Sequence, residues 1–172
     1  MRRGYVQVYT GNGKGKTTAA LGLAIRAAGA GLKIFIGQFI KKRKCSEHHL
    51  LDQLSGNIVI RRYGRGCIMG RQTSQGDRIA AREGYEEVKD ILLSNRYDVV
   101  ILDEANVAAH LGLINTQDLL ELMALKPKKV ELVITGRYAD ERVMQAADLV
   151  TEMRAIKHYR KQGVIARRGI EK

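Results

Sequence analysis

Short apolar runs alternate with longer amphipathic stretches along almost the whole chain. Residues 5–9, 33–39 (with Ile34-Phe35-Ile36 at the centre), 58–60, 99–102, 130–135 and 149–153 read as six strands. The run Val99-Val100-Ile101-Leu102 is apolar at every position, as expected of a strand covered on both faces. Residues 16–30 predict a helix with Leu21, Leu23, Ala24, Ile25, Ala27 and Ala28 on a broad buried face, ended by Gly29 and Gly31. Residues 77–94 predict a second helix with Ile79, Val88, Ile91 and Leu92 inward. A third runs from a cap at Asn115 or Thr116 to Leu125, just before Pro127, and a short fourth covers residues 140–147.

This alternation predicts an α/β fold, a mostly parallel sheet with helices on both faces, in a single domain over residues 1–172. No internal repeat, low-complexity tract or linker interrupts it. The least regular stretches are residues 40–46 and 63–76, and Gly64, Gly66, Gly70 and Gly76 mark the second as a mobile loop. Both follow strands, so both are placed to reach a ligand at the carboxyl ends of a parallel sheet.

The first strand runs into Gly11-Asn12-Gly13-Lys14-Gly15-Lys16-Thr17-Thr18 and then the first helix. Strand, glycine-rich loop, Lys-Thr and helix form the arrangement that cradles phosphates. Glycines let backbone N–H groups converge, Lys16 neutralises phosphate charge, and Thr17 can ligate magnesium. In the usual spacing, G-x-x-x-x-G-K-[ST], the first glycine would fall at Thr10. Gly11 stands one residue closer, so the loop is contracted by one residue and could hold a triphosphate shifted or reversed. Asp103 and Glu104 close the most apolar strand, where carboxylates commonly serve magnesium. Consecutive strand positions face opposite ways, so one of the two is expected to face the metal and the other the sheet periphery.

The formal net charge of +12 favours anionic partners, nucleotides or nucleic acid among them. Against single-stranded nucleic acid stands the scarcity of stacking side chains, with no Trp and two Phe. Cys45 and Cys67 form no C-x-x-C pair, which suits a reducing cytoplasm better than a disulfide scaffold. No stretch approaches the length of a membrane span, and the first residues run straight into a strand without a signal peptide.

With these motifs placed, the chain resembles the P-loop type of ATP:corrinoid adenosyltransferase, the cob(I)alamin adenosyltransferases. The resemblance rests on residues 10–18, on Gln38-Phe39-Ile40-Lys41, on Leu102-Asp103-Glu104, on Ile134-Thr135-Gly136-Arg137, on Lys157-His158, and on Gly163 and Gly169-Ile170. It implies a P-loop NTPase-like (RecA-like) fold and transfer of the 5′-deoxyadenosyl group of ATP to reduced cobalt. It further implies a nucleotide held backwards relative to other P-loop proteins. By the resemblance, Gly11, Asn12, Gly13, Lys14, Gly15, Lys16, Thr17 and Thr18 contact the phosphates. Arg137 is a further phosphate or ribose contact, with a structural ion pair as the alternative. Thr17 and Glu104 serve Mg2+, with Asp103 behind them, and Lys16, Thr17 and Glu104 are the implied catalytic residues. Gln38, Phe39, Lys41, Gly66, Cys67 and Met69 are the implied corrinoid contacts. A homodimer and a flavoprotein electron donor are implied partners, with neither nucleic acid nor membrane among them.

Two departures stand out. The family's glycine loop carries a Gly-Phe-x-Trp aromatic pair, whereas this chain has Gly66-Cys67-Ile68-Met69. These side chains are smaller or softer, and the corresponding expectations are an incomplete corrinoid as substrate, other residues in the same role, or drift from that substrate. The family's N-terminal extension has no counterpart before the first strand. Of the remaining candidates, Lys41-Lys42-Arg43-Lys44 reads as a solvated loop or as a guide for anionic groups, and adjacent His48 and His49 have poor metal-ligand spacing. Cys67 reads as an inert loop residue. A different P-loop ATPase or kinase, or a nucleotide-dependent binder, are the rival functions. No water-positioning residue or acceptor pocket for the former is evident.

Overall fold

The computed structural model describes residues 3–41, 45–53, 56–66 and 72–171. The implied corrinoid contacts Cys67 and Met69, and residues 42–44 of the basic run, lie outside the described residues. The elements are β1 Val6–Thr10, α1 Lys16–Gly29, β2 Ile34–Gln38, α2 Ser46–Gln53, β3 Ile58–Arg62, α3 Gln75–Leu93 and β4 Val99–Asp103. They continue as α4 Ala105–His110, α5 Thr116–Leu125, β5 Glu131–Thr135, α6 Glu141–Ala146 and β6 Leu149–Glu152, before a 3-10 turn at Tyr159–Gln162.

The six strands form one sheet in the order β3-β2-β4-β5-β1-β6, and every pairing is parallel. Side-chain alternation along the strands divides the apolar residues into two cores. Val6, Val8, Phe35, Val100, Leu102, Leu132 and Ile134 face one side, packed with residues of α3, α4, α5 and α6. Ile34, Ile36, Ile58, Val99, Ile101 and Val133 face the other, under Ala20, Ala24 and Ala27 of α1 and Leu51 of α2.

Local sequence explains most boundaries. α1 ends in a reverse turn: Ala30 is its C-cap, Gly31 takes φ +77°, and the N–H groups of Gly31 and Leu32 reach back to the carbonyls of Ala28 and Ala27. Ser74 and Asp77 cap α3 reciprocally. Asp118 accepts the N–H of Asn115 at the start of α5, and Asp140 accepts that of Arg142 in α6.

Two inward assignments fail. Ile25 and Ile79 are exposed, at 47% and 52%. The buried stripe of α1 is set by the three- and four-residue spacing of Ala20, Ala24 and Ala27, and Ile25 lies off it. In α3 the stripe runs through Asp77, Ala81, Gly84, Tyr85, Val88, Ile91 and Leu92, which Ile79 likewise misses. The sequence pattern does not predict α4, because nothing punctuates the chain between it and β4. A single left-handed residue, Glu104 (φ +60°), makes the turn.

The Tyr63 ring is wedged between β2 and α3. It packs against Phe39 in a tilted pair with centroids 5.5 Å apart. It also fills the space left by two glycines: a Cβ on Gly84 would stand 2.4 Å from Tyr63 Cγ, and one on Gly37 3.0 Å from its ring. Alanine in mid-helix normally gains about 1 kcal/mol over glycine, but overpacking against a buried ring costs about 1–3 kcal/mol. Gly84→Ala is therefore expected to destabilise the protein by up to roughly 2 kcal/mol net, read as a lower denaturant midpoint at unchanged slope. An increase in stability would contradict this packing.

Candidate functional site

The carboxyl ends of β1, β2, β4 and β5 meet at the amino end of α1. Gln38 and Asp103 are register partners on adjacent strands. By alternation from Ile36, Ile101 and Val133, the side chains of Gln38, Asp103 and Thr135 all point to the α1 side of the sheet. Strand parity thus gathers three polar side chains on one face, and through Asp103 they meet Thr17, in the first turn of α1.

Asp103 is the hub and is buried, at 1% exposure. Its Oδ1 accepts from Thr17 Oγ1 at 2.8 Å and Thr135 Oγ1 at 2.8 Å. Its Oδ2 accepts from Gln38 Nε2 at 3.0 Å and lies 3.2 Å from Lys41 Nζ. Four donors occupy the lone pairs of this carboxylate. Lys41 also pairs with Glu47 at 3.5 Å. Burial works against its ammonium, but Asp103 and Glu47 outweigh that and raise its pKa. Lys41 is thus not a solvated member of the basic run.

Glu104 differs in every respect. It lies beyond the end of β4 in left-handed backbone, its own N–H donating to Thr135 Oγ1 at 3.0 Å. Its carboxylate makes no hydrogen bond with a described residue. Burial, and next the charge of Asp103, raise its pKa, while Lys41, Lys16 and Arg137 act in the opposite direction. It is a carboxylate with lone pairs to spare in a cationic surrounding.

The glycine loop is shaped by its neighbours. Gly11 (φ +94°) and Gly15 (φ +120°) adopt backbone that side chains disfavour. A Cβ on Gly11 or Gly13 would come within 2.4 Å or 2.7 Å of the Met153 carbonyl oxygen, because the chain leaving β6 lies directly against the loop. The Gly13 N–H donates to that same oxygen at 2.6 Å, and Asn12 Oδ1 accepts from the Ala155 N–H at 2.9 Å. Lys16 is buried, and its Nζ donates to the carbonyls of Gly11 at 2.8 Å and Gly13 at 2.6 Å, so its ammonium spans the loop. Burial, then the positive charge of Arg137, lower its pKa. No side chain caps the amino end of α1, so the first-turn N–H groups of Lys16, Thr17 and Thr18 face the loop without a side-chain acceptor.

Arg137 makes no ion pair or hydrogen bond with a described residue. Gly136 (φ +136°) lets its loop pass within reach of Asn106 and Val107. Lys14 is half exposed and pairs with Glu171 at 3.5 Å, a surface contact of small energetic weight. Lys14, Arg154, Lys157, His158 and Tyr159 line one depression beside the loop. His158 itself accepts from the Arg160 N–H at the start of the 3-10 turn.

Two of the implied corrinoid contacts face inward. Gln38 and Phe39 are each 1% exposed, Gln38 held between Asp103 and His48, Phe39 against Tyr63. Their side chains position neighbours instead of lining an open surface, because strand parity and ring packing turn them into the fold. Gly66 (φ +134°) opens the glycine-rich loop. The sequence alone points to no role for Thr135 or His48. The signal for Thr135 was a polar residue ending an apolar strand, the same signal that marks Gln38 and Asp103. For His48 no local pattern exists. Cys45, Glu47 and His48 bring three potential ligand atoms within 4.8 Å of one another. Both ring nitrogens of His48 are already engaged, with the Cys45 N–H at 2.9 Å and Gln38 Oε1 at 2.7 Å.

Residues 2–171 match the protein family described as ATP:corrinoid adenosyltransferase BtuR/CobO/CobP. The chain is 34% identical to the corrinoid adenosyltransferase of Escherichia coli K12 over 170 residues, covering 98% of this chain and 86% of that protein. It is 33% identical to the corrinoid adenosyltransferase of Pseudomonas aeruginosa, with 98% and 84% covered. It is 32% identical to corrinoid adenosyltransferase CobA of Salmonella typhimurium, with 98% and 86% covered. Among solved structures, a KaiC-like protein from the hyperthermophilic archaeon Pyrococcus horikoshii superimposes with a TM-score of 0.60 at 16% identity. That match covers 88% of this chain and 73% of that one, a likeness of fold.

Proposed function

Since the chain belongs to the ATP:corrinoid adenosyltransferase family, we propose that it transfers the 5′-deoxyadenosyl group of ATP to the reduced cobalt of a corrinoid and releases triphosphate. Co(I) is itself the nucleophile; it attacks C5′ of ATP as the C5′–O bond breaks and the bonding pair leaves with triphosphate. No general base is required. The protein's tasks are to align the two reactants and to stabilise charge growing on the leaving group. The observation that carries this reading is the contracted loop, with the buried Lys16 ammonium across it and the uncapped amino end of α1 beneath. In this reading the triphosphate lies along Gly11 to Thr18 in the reversed sense, so that C5′ faces the corrinoid.

The donor set between the end of β4 and the start of α1 fits Mg2+: one carboxylate without a hydrogen-bond partner among the described residues, Glu104, which senses the Lys16 charge, and one hydroxyl, Thr17 Oγ1, oriented by Asp103. Thr17 and Glu104 would hold the ion. Asp103, its lone pairs occupied, acts through Thr17. Bound there, Mg2+ would supply charge neutralisation on the triphosphate. Arg137, without an ion-pair partner among the described residues, is available to the phosphates or ribose. Lys41 and the loop from Gly66, with Cys67 and Met69, are the candidates for the corrinoid side. No described helix is long and apolar enough to cross a membrane. A cytoplasmic homodimer, acting on a corrinoid whose cobalt is reduced by electrons from a flavoprotein donor, is part of the proposal.

The products test it. With Mg-ATP and a chemically reduced corrinoid under anaerobic conditions, the expected products are intact triphosphate and a light-sensitive cobalt–carbon bond. ADP and orthophosphate formed without corrinoid would overturn the transferase reading.

A further inference from the structure

His48 is 2% exposed, and its position in the fold is unusual for a helix surface residue. It is the third residue of α2, with Cys45 as the residue preceding the helix. Its Nδ1 lies 2.9 Å from the Cys45 backbone N–H, which can only donate. That contact makes Nδ1 the acceptor and puts the ring proton on Nε2. Nε2 is 2.7 Å from Gln38 Oε1 and donates to it. Gln38 is then left with its NH2 toward Asp103 Oδ2, at 3.0 Å. The other oxygen of Asp103 receives the Thr17 hydroxyl.

The direction of this chain is fixed from both ends. Nδ1 also lies 3.3 Å from the Cys45 carbonyl, so the opposite tautomer has an acceptor available. That tautomer would turn the Gln38 amide over and set its oxygen against the Asp103 carboxylate, two acceptors face to face in a buried site. The backbone N–H at one end and the carboxylate at the other admit only one arrangement. Burial lowers the His48 pKa, in keeping with a neutral ring. The cluster of Cys45, Glu47 and His48 does not compete as a metal centre on this geometry, since both ring nitrogens are spent and Glu47 already faces the Lys41 ammonium.

We propose that His48 is a positioning residue for the nucleotide-metal site: by locking the Gln38 amide it holds Asp103 on Thr17, without itself touching nucleotide or metal. The inference rests on the assignment of Thr17 and Glu104 to Mg2+. Its reach is from the start of α2, on the same face of the sheet as α1, to the first turn of α1.

The test is the Mg2+ dependence of ATP binding, measured by calorimetry on wild type, His48→Ala, His48→Gln and Gln38→Leu, with melting temperatures alongside. His48→Ala is expected to raise the Mg2+ concentration for half-maximal ATP binding by about 3- to 10-fold, below the range for a residue bonded directly to a metal ligand, because Gln38 and Asp103 intervene. His48→Gln should recover most of that, because a glutamine at the third helical position can accept from the residue before the helix and still offer an N–H to Gln38. In a Gln38→Leu background, adding His48→Ala should shift the Mg2+ dependence no further, since the two act through one chain. A fall in melting temperature with unchanged Mg2+ dependence would make His48 structural only and overturn the inference. Independent, additive effects of the two substitutions would overturn it as well. If His48→Ala does not fold, the glutamine variant and the Gln38→Leu pair, built with His48→Gln, decide the matter: a Mg2+ dependence in Gln38→Leu equal to wild type overturns it. Wild-type ATP binding indifferent to Mg2+ would instead bring down the metal assignment itself.

Discussion

Lys16→Ala is expected to cut adenosyl transfer by about 10²–10³-fold, the range for removing one preorganised donor from a developing anion. The loss should fall mainly on kcat. The Lys16 ammonium is held by the Gly11 and Gly13 carbonyls, at 2.8 and 2.6 Å, in the concavity where the phosphates are expected. Its placement is therefore fixed before substrate arrives, and little reorganisation is needed as charge develops. Charge grows on the triphosphate only as the bond to C5′ breaks, so a donor aimed there is worth more in the transition state than in the ground state. Both loop carbonyls can turn to water, so the variant should fold, and its melting temperature checks this. Turnover by Lys16→Ala equal to wild type, with the fold intact, would remove this loop from the reaction.

Asp103→Asn should show the second-largest effect, an increase of about 10–100-fold in the Mg2+ concentration for half-maximal turnover, as for other residues that orient a metal ligand. The donors around Asp103 decide how asparagine must sit. Lys41 can only donate, so the amide oxygen turns toward Lys41 and Gln38, and the NH2 faces Thr17 and Thr135. Thr17 is then forced to accept with one of its two lone pairs, and its proton, no longer held by Asp103, must share the remaining side of the oxygen with the metal. Asp103→Ala makes the complementary case. It leaves four donors, one of them charged, without their acceptor, at a cost of roughly 2–4 kcal/mol in stability. Denaturant unfolding separates the two: asparagine should lose function more than stability, and alanine both. Wild-type Mg2+ dependence in Asp103→Asn would show that Thr17 is not oriented through this carboxylate.

Much of the architecture was legible because each strand is short, apolar and bounded, and helical stretches separate the strands. The uninterrupted Val99–Leu102 run announced a strand covered on both sides, and it lies between β2 and β5 with a core on each face. Where sequence pattern misled, position around a helix was at issue. Ile25 and Ile79 are apolar but exposed, and hydrophobicity alone does not say which stripe of a helix meets the sheet. The chain leaving β6 is similar. Nothing in Met153 to Ala155 signals that it lies against the glycine loop, fixing Asn12 and Gly13 through backbone contacts.

The linear chain by itself determined the parallel α/β order, the shortened glycine loop with Lys16 and Thr17, and the acidic close of the fourth strand. Those features depend on periodicity and on neighbours within a few residues. Only the tertiary structure decided what the two adjacent acids do. Asp103 is spent on four donors from β2, α1, β5 and the residue following Ile40, while Glu104, in a left-handed turn, has no side-chain hydrogen bond to a described residue. The tertiary structure likewise brings His48, ten residues from Gln38, into hydrogen-bond contact with it. Hydrogen bonds between strands distant in sequence depend on sheet order and register, and the order β3-β2-β4-β5-β1-β6 is a property of the whole packed chain, written in no local segment of it.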